Sequence, residues 1–340
     1  MESKFPLLAV EADCIISKDA DITAVFEVDL PELFTVTAAE YEAIHAAWAK
    51  AIKVLPNYTV VHKQDWFIRE DYRSQTDKEN LSFLSRSYEM HFNERPFLNH
   101  KCYLYLTKTT KGRMRMQSSF SSLCRGFIIP KEVDKDTTAH FLDTVGQFAR
   151  IVNDTGLVHL RRLVGDEITG TEDKAGLVEK YFCLSMENTT ALEDIGLGDD
   201  GLRVGDKHVS VHTLSELDAL PNKVGTDCRY ERLSTDKSDC KLSFASPVGL
   251  LLSCNHLYNQ YIFLDDSGEN LQRFEKNARN MQSLSKYSRS NQINKEWIDL
   301  YLNDAHSFGL TSVRAQCNII EWPDNPMEVK NIRNDVGSQI

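Results

Sequence analysis

Between residues 21 and 109 the hydrophobic pattern switches repeatedly between the period of a strand and the period of a helix. Three segments have the apolar composition and alternation of strands, and the two segments between them repeat apolar residues at helical spacing. The first helical segment opens with a capping box, in which Thr37 is followed by Glu40. The order strand, helix, strand, helix, strand predicts an α+β fold with ferredoxin-like, split βαβ layers.

Two apolar stripes define the helices of this first unit, and a hairpin precedes them. The hairpin is predicted from two strands, residues 6–17 and 22–30, around the polar turn at 18–21. The stripes consist of Tyr41, Ile44, Trp48 and Ile52 in the first helix, and of Leu81, Leu84, Tyr88 and Phe92 in a second helix over 79–94.

The rest of the chain divides into a less regular middle section and a second α/β unit related to the first. We predict boundaries at 1–110, 111–250 and 251–340. The middle section starts with a Ser-rich loop over 110–136 and includes strands at 177–185 and 207–214. It also contains a helix at 137–153, whose stripe is Phe141, Val145, Phe148 and Val152.

The second unit is predicted as strand, helix, helix, strand, helix. The second of its helices should turn four residues inward and end at Gly309; the four are Ile293, Trp297, Leu300 and Tyr301. The last helix is capped by Asn325, starts at Pro326 and carries the stripe Val329, Ile332, Val336 and Ile340. We expect a further strand to follow that helix, so the unit is incomplete, and we expect the helix to fray from Gly337 onward.

Composition narrows the class of protein. Charged residues make up 26% of the 340 residues and the net charge is −11, so binding of nucleic acid or anionic lipid over the whole surface is not expected. The start of the chain lacks the long apolar region of a secretory signal. The eight cysteines are scattered without a CxxC pair. This pattern is typical of thiols in a reducing compartment, and we predict a cytoplasmic protein.

Catalytic motifs are weak in this sequence. It contains no GxxxxGK[ST], HExxH or GxSxG motif. Gly196, Gly198 and Gly201 match GxGxxG, but strand-like alternation follows them, so we interpret them as a turn. Three further pairs of candidate residues have plainer explanations than catalysis or metal binding. We expect His208 with His212 to be an exposed or hydrogen-bonded pair, and Cys228 with Cys240 to be free thiols. Asp265 and Asp266 should end a strand and favour the N-terminus of the next helix. An acid–base site of Asp265, Asp266 and His256 remains an alternative.

Two local clusters of basic residues stand out in this acidic chain. They form a candidate interaction patch, with a solvated surface as the plain alternative; its residues are Lys108, Lys111, Arg113, Arg115, Arg273, Lys276 and Arg279. Lys286 and Arg289 extend the second cluster. Such clusters suit an acidic protein partner, anionic lipid or nucleic acid.

Four long segments of the chain resemble one known family. They are residues 17–67, 119–134 (SFSSLCRGFIIPKEVD), 250–266 (LLLSCNHLYNQYIFLDD) and 277–322. These stretches resemble the N-terminal region of TraG-type conjugation ATPases, which belong to the type IV secretion ATPases. In that family the N-terminal region precedes a RecA-like motor domain that carries the P-loop.

The resemblance implies a non-catalytic assembly region that docks the motor to inner-membrane components of the secretion apparatus. No cofactor is expected in this chain, because ATP and Mg²⁺ would belong to the motor domain. The implied partners are those components, its own motor domain and a second copy of the chain, at the cytoplasmic face of the inner membrane. Two alternatives stay open: a nucleic-acid-binding module that uses the basic residues, and a self-contained enzyme.

Overall fold

The computed structural model describes residues 6–32, 35–72, 82–93, 95–114, 135–188, 192–198, 201–214, 228–231, 234–237, 239–243 and 245–339. These residues form a mixed fold in which helices pack on a large antiparallel sheet. The predicted α+β class is therefore confirmed.

The strands and helices have the following bounds. The strands are β1 (Leu7–Glu11), β2 (Cys14–Ser17), β3 (Ile22–Asp29), β4 (Thr59–Glu70), β5 (Phe97–Lys108), β6 (His159–Arg162), β7 (Gly170–Thr171), β8 (Lys174–Ala175), β9 (Ile195–Gly198), β10 (Gly201–Val204), β11 (Lys207–Thr213), β12 (Cys228–Arg229), β13 (Lys241–Leu242), β14 (His256–Leu264) and β15 (Arg314–Glu321). The helices are α1 (Ala38–Val54), α2 (Phe83–Asn93), α3 (Lys111–Met114), α4 (Lys135–Asn153), α5 (Gly165–Thr169), α6 (Leu177–Cys183), α7 (Ser246–Leu250), α8 (Ser267–Leu284), α9 (Arg289–Phe308) and α10 (Val329–Gln339).

One eleven-stranded sheet organises the fold. Its strand order is β1-β2-β3-β5-β4-β14-β15-β11-β10-β9, and β6 pairs with β3. The pairing of β4 with β14 joins the first third of the chain to the last third within this sheet. The predicted boundaries near residues 110 and 250 stay a prediction.

The first third contains the predicted split βαβ unit. The strand β5 lies between β3 and β4 and is antiparallel to both, so β3 and β4 are parallel and α1 makes the crossover between them. The capping box is present: Glu40 N–H donates to Thr37 Oγ1 at 3.3 Å, and Thr37 N–H donates to Glu40 Oε2 at 2.8 Å.

The N-terminal strand differs from the prediction. Residues 6–17 form two paired strands, because Ala12 and Asp13 have φ values of 48° and 58° and make a two-residue turn. Positive φ at both central residues is typical of the type I′ turn, one of the two common two-residue hairpin turns. The predicted turn at 18–21 is confirmed, since β2 and β3 pair on either side of it.

Both faces of the sheet are covered by helices. Phe141, Val145, Phe148 and Val152 of α4 are all buried, as their stripe predicts, and they pack with α1 against β3, β5 and β4. On the same face, α7 and α10 cover Tyr258 and Ile319 farther along the sheet. The opposite face buries Trp66 and Leu257 beneath Ile168 of α5 and Leu177 of α6.

The last third uses its helices differently. The strands β14 and β15 are direct antiparallel neighbours, and α8 and α9 are inserted between them. The tail follows the prediction more closely, since Asn325 Oδ1 accepts a hydrogen bond from Met327 N–H and both Ile332 and Val336 are buried. The predicted start at Pro326 is a 3₁₀ turn over Pro326–Glu328, and the α-helix begins at Val329. The helix α10 continues to Gln339. Ile340 lies outside the described residues, and the fraying from Gly337 stays a prediction.

Of two predictions for the middle section, one is wrong and the other falls mostly outside the described residues. The strand expected at 177–185 is wrong, because Leu177–Cys183 form the helix α6, whose first turn is held by a hydrogen bond from Gly176 N–H to Glu179 Oε2. A short apolar run suits a buried strand or a buried helix equally well, so its pattern does not decide between them. The loop expected over 110–136 begins with α3, and residues 115–134 lie outside the described part of the chain.

Candidate functional site

A helical hairpin of α8 and α9 projects from the connection between β14 and β15. Asp266 caps α8 by accepting a hydrogen bond from Glu269 N–H at 3.1 Å, as a residue before a helix N-terminus should. The two helices pack along each other, with the rings of Phe274 and Tyr301 5.0 Å apart. Gly309 ends α9 in the left-handed conformation, with φ 61°, which confirms the predicted C-terminal glycine.

The outer side of α9 carries an exposed apolar row. Trp297 is 54% exposed and Leu300 62% exposed, and Ile293 precedes them on the same side of the helix. The prediction that these three residues point inward is therefore wrong. Tyr301 does pack against α8. The inward stripe fails because the hairpin buries only one narrow side of α9, so the wider apolar row faces outward.

The helix α2 is a second insertion with an exposed apolar surface. It connects β4 to β5, and Phe83 and Leu84 are 82% and 77% exposed. Tyr88 and Phe92 of the predicted stripe are also exposed, while Leu81 lies outside the described residues. Because β4 and β5 are antiparallel neighbours, their connection need not cross the sheet, and nothing forces this helix onto the core.

The first basic cluster lies beside the base of the helical hairpin. Lys111 forms an ion pair with Glu269 in the first turn of α8. Lys108 binds the carbonyl of Asn57, and its ammonium lies 5.5 Å from the centre of the Tyr58 ring. The structure does not describe Arg115 or the side chain of Arg113.

The helical members of the patch are exposed on α8. The guanidinium of Arg273 lies 5.9 Å from the ring centre of Phe274, and Arg279 is 3.8 Å from Glu275. Lys276 is exposed between them. The described members of the candidate patch are thus the half-buried Lys108 and Lys111 beside the base of the hairpin and the exposed Arg273, Lys276 and Arg279 along α8, and several of them already have partners in the chain.

The other candidate residues have structural roles. Asp265 receives two hydrogen bonds from the Arg314 guanidinium, at 2.6 and 3.0 Å, and Asp266 caps α8. His256 is fully buried at the opposite end of β14, about nine residues or roughly 30 Å from Asp265, so the proposed acid–base residues do not converge. The glycines of the GxGxxG match lie in β9 and β10, and a strand rather than a helix follows them.

Of the histidine and cysteine pairs, His212 lies beside an acidic side chain, and the side chain of Cys228 lies outside the described part of the chain. His212 Nε2 lies 3.0 Å from Oε1 of Glu321, whose burial raises the pKa of its carboxyl. Within the described ranges, no group of three histidine, cysteine or acidic side chains has the geometry to hold a metal ion. Six cysteines of these ranges are free thiols, and five of the six are buried.

Comparison with known proteins adds one family match. Residues 1–46 match a family described as "Domain of unknown function, B. Theta Gene description (DUF3875)". No curated protein matches the chain. The matched segment spans β1 to β3 and the first half of α1, so it includes neither the helical hairpin nor α2.

No helix formed by the described residues is both long enough and apolar enough to pass through a membrane.

Proposed function

We propose that this chain is the non-catalytic N-terminal assembly region of a conjugative type IV secretion ATPase of the TraG type. It docks the ATPase motor to inner-membrane components of the transfer apparatus, from a peripheral position on the cytoplasmic face. ATP and Mg²⁺ are bound by the motor domain rather than by this chain. The resemblance of four long segments to TraG-type proteins supports the family, and the surface of the fold supports the docking role.

One observation carries the docking role: both helical insertions of the sheet turn apolar side chains to solvent. A stable fold normally buries the apolar stripe of a helix, and larger exposed apolar surfaces mark interaction sites. Trp297 is the largest of these exposed side chains on α9, and Phe83 is the most exposed one on α2. Tryptophan is enriched among the residues that dominate binding energies, so Trp297 is the expected centre of the docking surface.

The nucleic-acid alternative has less support from the sheet. Nucleic-acid modules built on such sheets stack bases on open aromatic faces of neighbouring strands. Here the His62 ring is stacked between Tyr105 and Tyr261, with ring centres 4.9 and 4.2 Å apart, so these faces are already occupied. Burial lowers the pKa of His62 to about 4, which leaves no charge on it for a phosphate at neutral pH.

Two double variants test docking without disturbing the core. We expect Trp297→Ala with Leu300→Ala, or Leu84→Ala with Tyr88→Ala, to reduce retention of inner-membrane secretion proteins by the immobilised chain more than tenfold. The side chains are exposed, so their loss should leave the fold intact. The measurement is a pull-down from solubilised inner membranes of cells that carry the transfer apparatus.

The matched control for these variants is Leu197→Ala, an apolar truncation at an 84% exposed site on β9. It should bind like the unmodified chain. The proposal fails if the unmodified chain retains no secretion protein under conditions where the full ATPase does. It also fails if both double variants bind as well as the control.

A further inference from the structure

The charges of the helical hairpin are strongly segregated along its length. Between Lys276 and Lys295 the chain has five basic residues and no acidic residue, although the whole chain has a net charge of −11. The members of this basic segment are Lys276, Arg279, Lys286, Arg289 and Lys295. The acidic residues of the two helices lie outside this segment: Glu269 and Glu275 precede it, and Glu296, Asp299 and Asp304 follow it.

Apolar side chains lie at the end of this basic segment. The turn between the helices carries Tyr287, which is 84% exposed, and Leu284, which is 45% exposed. Lys286 and Arg289 are exposed beside them. A hydrogen bond from Tyr287 N–H to the carbonyl of Leu284, at 3.0 Å, closes the turn.

The turn lies at the end of the hairpin that is farther from the sheet. The helix α8 has 18 residues, so its end lies roughly 27 Å from its capped start beside the sheet. Lys276 and Arg279 lie one to two turns behind Leu284. A flat surface approaching the turn would meet Tyr287 and Leu284 first and the basic side chains immediately behind them.

We propose that the turn of this hairpin, residues 284–289, binds the surface of a membrane that contains anionic lipid. Tyrosine places its ring at the level of lipid headgroups, leucine enters the acyl boundary, and lysine and arginine are attracted to anionic headgroups. The proposal goes beyond the docking function because it requires no secretion protein. Apolar side chains at a convex tip fit a lipid surface better than they fit a nucleic-acid backbone, which offers them no apolar environment.

The test measures sedimentation of the full 340-residue chain with vesicles. Phosphatidylcholine vesicles with and without phosphatidylglycerol are compared at low and at high salt. We expect binding only to the phosphatidylglycerol vesicles, and weaker binding at high salt. Lys286→Gln with Arg289→Gln should lower the partition coefficient about thirtyfold. Leu284→Ala with Tyr287→Ala should lower it about tenfold.

A matched pair of charge removals outside the hairpin is the control. Lys330→Gln with Arg333→Gln on α10 removes the same charge from exposed positions and should leave vesicle binding unchanged. Absence of binding to anionic vesicles at low salt would overturn the proposal, and so would equal losses in the hairpin and control variants. Binding of a single-stranded oligonucleotide that is lost in the hairpin variants, without any vesicle binding, would assign the turn to nucleic acid instead.

These outcomes are separate from those of the docking test. Retention of secretion proteins with no vesicle binding would leave the proposed function standing and remove only the lipid site. Vesicle binding without retention of secretion proteins would support the lipid site and overturn the proposed docking function.

Discussion

Replacing Trp66 with alanine is expected to lower the free energy of unfolding by about 4 kcal/mol. Trp66 lies on the central strand β4 and has no exposed surface. Its ring packs edge-on against Trp322 and Tyr181, with ring centres 6.4 Å apart in both cases. The variant would leave a large cavity on this face of the sheet and would remove the hydrogen bond from Trp66 Nε1–H to Gln64 Oε1.

The control for Trp66 is the same substitution at an exposed tryptophan. Trp297→Ala removes the same atoms from a side chain that is 54% exposed, and it should change the unfolding free energy by less than about 1 kcal/mol. Urea unfolding followed by circular dichroism measures both variants. Similar losses in the two variants would contradict the assignment of Trp297 to the surface, and with it the docking surface.

Replacing Asp65 with asparagine is expected to cost about 2 kcal/mol at neutral pH and much less in acid. Asp65 is buried on the α1/α4 face of the sheet, where it forms an ion pair with Lys63 and a hydrogen bond with His100 Nε2 at 2.9 Å. Burial alone would raise the pKa of its carboxyl, but the charges and hydrogen bonds of Lys63 and His100 lower that pKa to about 2.

The pH dependence follows from that lowered pKa. An aspartate in the unfolded chain titrates near a pKa of about 3.9, so the carboxylate stabilises the fold fully above that pH. The stabilisation is lost as the pH falls from about 4 toward 2, where the folded state also takes up a proton. Unfolding free energies of the two proteins should therefore converge as the solution is acidified.

A partly exposed ion pair is the control for Asp65. Asp299→Asn removes the carboxylate that lies 3.2 Å from Lys295 on the surface of α9. This variant should cost only a few tenths of a kcal/mol, at neutral pH as in acid. A difference between Asp65→Asn and the unmodified protein that does not shrink in acid would contradict the ion-pair explanation.

The sequence predicted best where one local pattern had one physical solution. Thr37 and Glu40 form the expected capping box, and all four stripe residues of α4 are buried. The helix α1 makes the crossover between β3 and β4, and α4 packs beside it on the same face of the sheet. The apolar side of each helix therefore has to face the core.

Long-range strand pairing explains what the sequence did not predict. The outward positions of Trp297 and Leu84 follow from the direct pairing of β14 with β15 and of β4 with β5, which turns their connections into insertions. Helical periodicity shows that a helix has an apolar side, but not what covers that side. The contact of Asp65 with His100 was equally hidden, because these two residues meet only through the register of β4 with β5.

The most direct test of the docking function is photocrosslinking in cells that transfer DNA. A photoreactive amino acid is placed at Trp297 or at Leu84 of the full ATPase, and at Leu197 as the control. We expect crosslinks from positions 297 and 84 to inner-membrane proteins of the transfer apparatus, and none of these from position 197. Transfer-competent cells in which neither helical position crosslinks to such a protein would contradict the docking function.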